Sequence, residues 1–132
     1  VWRAHHETEL LKKWMLGPDG WTMTVAEPAT DVGSTYRYAW EQDGAPETAF
    51  GFEGELLQLD APRREVTTER MSGADGPGTI NDLQLYEEDG ATLLTLLVEY
   101  PDKETRDMIL ATGMADGMED SYARLETEVL TK

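Results

Sequence analysis

The chain contains no cysteine in 132 residues, which excludes a disulfide framework and any thiol chemistry. Basic residues are scarce: 11 Lys and Arg stand against 27 Asp and Glu, a formal charge of −16. Gripping a phosphate backbone requires cations, so this balance argues against nucleic acid as a partner. The acidity serves solubility or tolerance of salt and names no activity. No apolar run reaches the roughly 18 to 20 residues that span a bilayer, and no signal peptide is evident. The expectation is a soluble cytoplasmic protein without a membrane span. Linkers, repeats and low-complexity blocks are also missing, so residues 1–132 are expected to form a single domain with its own core.

What the chain does have is a long amphipathic pattern near its end. Lys103 to Leu130 reads as one helix, interrupted only by Gly113 and Gly117. A glycine inside a helix costs roughly 1 kcal/mol relative to alanine, so two of them four residues apart imply a need for space. Two readings stay open: close packing of the helix on a sheet, or one wall of an adaptable apolar pocket completed by Met114 and Met118. Either requires the glycine face to be turned toward a sheet.

Between Thr22 and Tyr100 the pattern changes to alternation in aromatic and β-branched residues, punctuated by glycine, proline and aspartate. It predicts six strands: Met23 to Glu27, Thr35 to Glu41, Ala49 to Leu59, Glu65 to Met71, Ile80 to Glu87 and Thr92 to Tyr100. Asp43-Gly44 and Asp89-Gly90 suit tight hairpin turns, because both residue types tolerate positive φ. Alternation places Tyr36, Tyr38 and Trp40 on one face of the second strand, and Leu94, Leu96, Val98 and Tyr100 on one face of the last. Ahead of the strands, Val1 to Ala4 and Thr8 to Met15 are helical in character, the second capped by Thr8 and ended by Gly17-Pro18. Two short helices, a run of antiparallel strands and a terminal helix make an α+β arrangement.

Motifs for chemistry are weak. His5-His6 with Glu7 and Glu9 lacks the i, i+4 spacing that converges on a metal, so exposed polar residues are expected there and no metal site. Ser34, Ser72 and Ser121 lie outside any nucleophile-elbow frame. Gly73-Ala74-Asp75-Gly76-Pro77-Gly78 lacks the lysine of a phosphate loop and leads into a strand, so it is a loop. The many carboxylates read as a solvated face. No catalytic residue and no cofactor are assigned. The aromatic residues carry more information, because several on one strand face suit either a core or a lined cavity with hydroxyl and indole groups to orient a guest.

Several fragments together resemble a known family. They are Val1-Trp2-Arg3-Ala4, Glu9-Leu10-Leu11-Lys12-Lys13-Trp14, Gly17-Pro18 with Gly20-Trp21-Thr22, Asp31-Val32-Gly33 before Tyr36-Arg37-Tyr38, Phe52-Glu53-Gly54-Glu55, Thr68-Glu69-Arg70, and Gly113-Met114-Ala115-Asp116-Gly117-Met118-Glu119 before Leu125. In this order they resemble the domain named for the activator of heat-shock protein 90 ATPase, of the START-related SRPBCC superfamily. The resemblance implies a helix-grip, Bet v 1-like fold, in which a curved antiparallel sheet wraps around a long C-terminal helix. The family has a further β-strand ahead of the short helices. The chain opens inside a helical pattern without an initiator methionine, so residues upstream of Val1 are expected to be missing. A sheet lacking that strand would expose an unpaired edge, and self-association, as a homodimer, is expected.

The function implied is a binding module that holds a small hydrophobic or aromatic ligand between sheet and terminal helix. Its expected lining is Trp21, Tyr36, Tyr38, Trp40, Phe52, Leu85, Leu96, Val98, Gly113, Met114, Gly117 and Met118. Two alternatives stand beside it. One is contact with a chaperone, although the additional amino-terminal domain of the eukaryotic activator has no counterpart here. The other is a cavity enzyme, a cyclase or hydrolase, for which Tyr38, Tyr86 and Glu53 are the conceivable polar groups. Binding without catalysis is the preferred reading.

Overall fold

A computed structural model describes residues 1–15, 20–73 and 78–130, apart from the side chains of 114 and 115. The Gly17-Pro18 helix stop, the interior of the glycine-rich loop and the Met114 side chain lie outside the described residues.

Two short helices, α1 (Trp2–His6) and α2 (Thr8–Trp14), precede six strands: β1 (Trp21–Glu27), β2 (Thr35–Gln42), β3 (Ala45–Asp60), β4 (Arg64–Met71), β5 (Thr79–Glu88) and β6 (Ala91–Glu99). The strands form one curled antiparallel sheet in chain order, with β1 and β6 at its edges. Local turn chemistry accounts for this meander. Gly44 (φ 75°) turns β2 into β3, and Asp89 and Gly90 (φ 51° and 80°) turn β5 into β6. The expected fold class is therefore the observed one.

The α2 helix differs in one detail from its sequence reading. Glu7 occupies the N-cap position, and Thr8 lies inside the helix with its hydroxyl donating to the Ala26 carbonyl at 2.9 Å. Thr8 thus ties the helix to β1. At the other end of α2 the Trp40 indole donates to the Met15 carbonyl, fixing the helix over β2.

The C-terminal region corrects the expectation of a single helix. Chain 103–130 divides into α3 (Lys103–Leu110), α4 (Met114–Arg124) and a π-helical extension, Leu125–Leu130. Gly113 has φ of 83° in the left-handed region, where an L side chain is strained, so the helix breaks and restarts there. Asp102 caps α3 by accepting from the Thr105 N–H at 2.7 Å. Neither glycine is turned toward the sheet as expected: both are exposed, and a Cβ on either would meet nothing within 4 Å. The helix packs through other residues. Leu125 joins Ala4, Leu11 and Trp14 in a buried cluster, with Tyr122, Val129 and Tyr38 against it.

This freedom at Gly117 has a measurable consequence. With helical backbone and open space around it, Gly117→Ala should raise stability by up to about 1 kcal/mol, through helix propensity alone. Denaturant unfolding of the two proteins measures it. A loss of stability would show that this helix face is packed after all.

A second apolar cluster sits at the other end of the concave face. Met23, Ala26 and Trp40 are its buried members, with Met15, Trp21, Tyr38 and Phe52 packed on them. The two clusters share Met15 and Tyr38. On the convex face, Glu27, Arg37, Glu53 and Arg70 are successive cross-strand partners over β1 to β4. Their alternating charges suit such pairing, although at exposed sites each contact contributes little.

Candidate functional site

Beside the shared residues the helices stand away from the sheet and leave a cleft of about 120 Å³, open on one side. Leu11 and Met15 of the helical layer, Tyr122 of α4, and Leu83 and Leu96 of β5 and β6 supply apolar wall. Tyr36 and Tyr38 of β2 stand with ring centroids 5.2 Å apart. His5, His6, Glu65, Glu69 and Asn81 add polar groups.

The polar side comes from β4 and α1. Glu65, Thr67 and Glu69 all line the cleft, so alternation puts Val66 on the opposite, convex face. This inverts the usual pattern of an apolar concave face. Buried polar groups need partners, and the first of these carboxylates has one: Glu65 accepts from His6 Nε2 at 2.7 Å. His6 Nδ1 lies 2.7 Å from the Trp2 carbonyl. A backbone carbonyl only accepts, so Nδ1 donates to it, and the doubly protonated ring would donate to Glu65 as well. Burial opposes that charge, but the hydrogen bonds to Glu65 and the Trp2 carbonyl outweigh it and raise the His6 pKa.

His5 behaves oppositely. Desolvation lowers its pKa. Its Nδ1 faces the Val1 carbonyl at 2.9 Å, and its ring meets the edge of Trp14 at 4.9 Å. Its Nε2 is buried without a hydrogen-bond partner among the described residues, which disfavours a second proton there. The expectation of exposed histidines is therefore corrected. The 100° helical offset sends one ring into the core and the other to β4.

The two rings should titrate on opposite sides of the ordinary value of 6.5. The His6 contribution to stability is fully present below 6.5 and fades as pH rises through its raised pKa. The His5 contribution is present above 6.5 and fades as pH falls through its lowered pKa. Imidazole proton shifts followed by NMR across this range should give two separated midpoints, His6 the higher. A common midpoint would break the assignment.

Glu69 is held differently. Burial raises its pKa, against hydrogen bonds from Asn81 and Tyr36 that favour the charged form. Those bonds are long, 3.3 Å from Asn81 Nδ2 and 3.4 Å from the Tyr36 hydroxyl. The Tyr36 hydroxyl has a single proton and a better acceptor, the Thr68 carbonyl at 2.7 Å. Burial, with Glu65 and Glu69 nearby, also raises the Tyr38 pKa and keeps that phenol protonated.

Of the expected lining residues, Tyr36, Tyr38 and Leu96 reach this cleft. Trp21, Trp40 and Phe52 gather in the second apolar cluster. Leu85 and Val98 share the face of Leu83 and Leu96 by register without bordering the cleft. Gly113 and Gly117 are exposed and Met118 is half-buried, all away from it. Tyr86 is exposed, with its hydroxyl on Gln84, and Glu53 pairs with Arg70 at 3.5 Å, so neither points into the cleft. Sequence reasoning missed the histidines, Glu65, Glu69 and Asn81. The available signal was the run Glu65-Val66-Thr67-Thr68-Glu69, in which Glu65, Thr67 and Glu69 share one strand face.

A profile described as Activator of Hsp90 ATPase homolog 1-like protein matches residues 1–129. The chain belongs to this family. Solved structures share the fold. A Rhodobacter sphaeroides protein superposes with a TM-score of 0.86 at 30% identity, covering 98% of this chain and 83% of that one. A Mycobacterium smegmatis protein gives 0.82 at 19% identity, covering 97% and 80%. An AHSA1-like protein from Aeromonas hydrophila gives 0.70 at 19% identity, covering 96% and 82%. The last two establish likeness of fold alone. No curated protein matches the chain. Among the described residues, no helix is long and apolar enough to cross a membrane.

Proposed function

We propose that this protein is a binding module for a small molecule with an apolar or aromatic body, seated in the cleft between the helices and the concave face. One observation carries the reading: apolar and aromatic walls surround polar atoms that the described residues leave poorly satisfied, as at the Glu69 carboxylate. Binding sites have this composition, whereas a packed core has neither the space nor the spare polar groups. A volume of about 120 Å³ is close to that of cavities that admit a benzene-sized group. The open side lets the remainder of a larger ligand extend outward.

The test is an NMR titration with small aromatic probes. Saturable shifts should centre on the amides of Tyr36, Leu83 and Leu96, and Leu96→Trp, which fills the cleft, should abolish them while the spectrum stays folded. Shifts centred elsewhere, or unchanged binding by the filled variant, would overturn the proposal.

A further inference from the structure

We infer that the ligand presents a small organic ammonium group, which the Glu69 carboxylate receives between the rings of Tyr36 and Tyr38. The inference rests on the binding-module reading and adds the chemistry of the guest.

Glu69 is a half-buried carboxylate with few donors. Its one uncontested hydrogen bond is the 3.3 Å contact from Asn81, because the Tyr36 proton goes to the Thr68 carbonyl. Among the described residues it enters no ion pair. Arg70, on the neighbouring convex face, pairs with Glu53 instead, while His6 is taken by Glu65. A partly desolvated charge without a counterion carries a cost, and a cationic ligand lessens it.

The surroundings select the kind of cation. A metal would need several hard ligands converging on one point, and no group of three or more His, Asp or Glu does so among the described residues. An ammonium needs fewer. It donates to Glu69 and to the Tyr38 hydroxyl oxygen, which has no hydrogen-bond partner among the described residues, and it lies against tyrosine rings whose faces attract cations. Leu11, Met15 and Leu96 supply apolar wall for the carbon chain that bears it. At −16 the whole protein draws cations toward this opening and repels anions.

Calorimetric or NMR titration at neutral pH with three probes of one shape tests the inference: benzylamine, which is cationic, benzyl alcohol and benzoate. Benzylamine should bind about tenfold more tightly than benzyl alcohol, the scale of one charge-assisted hydrogen bond, and benzoate should not bind. In Glu69→Gln the preference for the amine over the alcohol should shrink to within about twofold. Equal affinities of the amine and the alcohol in the parent would overturn the ammonium inference and leave the binding module standing. Failure of all three probes to saturate would remove both. Should Glu69→Gln fail to fold, the parent's ranking of the three probes decides alone.

Discussion

Trp14→Ala should destabilise the protein by about 3 to 5 kcal/mol, the range for deleting a large buried aromatic side chain. Trp14 is 2% exposed and joins α2 to α1 and α4. Its ring stacks on Tyr122 at 5.5 Å, meets His5 edge-on and donates through Nε1 to the Ala4 carbonyl at 2.9 Å. Removal leaves a cavity between α1, α2 and the C-terminal helix, and a carbonyl without its donor. Against a typical total of about 5 to 15 kcal/mol, the loss is a large share of the stability. Denaturant unfolding monitored by circular dichroism would measure it, with Trp14→Phe as a companion that keeps a smaller aromatic ring and loses the N–H. A cost below about 1 kcal/mol for the alanine variant would mean that the helical layer is not joined through this ring.

Gly54→Ala should be nearly as damaging, at about 2 to 3 kcal/mol, although it adds only a methyl group. Gly54 lies opposite Tyr36 in the β2–β3 register. A Cβ there would collide with the Thr68 carbonyl oxygen and approach Tyr36 Cε1 to 2.8 Å. Backbone must move, because the obstructing oxygen belongs to β4 and not to a flexible side-chain end. The missing side chain is what lets the Tyr36 hydroxyl cross to the Thr68 carbonyl. In the variant that bond should be lost, and binding of any cleft probe should weaken with it. The contrast with Gly117→Ala, expected to stabilise, is the sharper check. Two glycine substitutions of opposite sign in one protein would show that local space decides the outcome. Equal effects would argue against both geometries.

Some strand boundaries differ from expectation for a related reason. β3 begins at Ala45, ahead of the expected Ala49, and includes Pro46. Proline normally argues against a strand, but the hairpin register already pairs Gln42 with Ala45, and pairing next to a tight turn overrides local preference. The same competition hid Glu65 and Glu69. Their residue type says solvent, and only the neighbours brought in by α1, β2 and β5 turn that strand face inward. His6 and Glu65 are 59 residues apart, a separation over which no periodicity operates.

The sequence by itself determined the class of fold, the meander of the sheet and the turns that join it. Each of these follows from contacts within a few residues: alternation along strands, Asp-Gly pairs at hairpins, and amphipathic spacing at both ends. The matching order of short fragments also determined the family. Tertiary structure alone decided what the glycines and the carboxylates are for. Gly113 ends a helix and Gly117 faces open solvent, while Gly54 makes room for Tyr36. Glu69 became a candidate ligand-binding group because folding half-buried it without a counterion among the described residues, and burial of that kind depends on how distant segments pack.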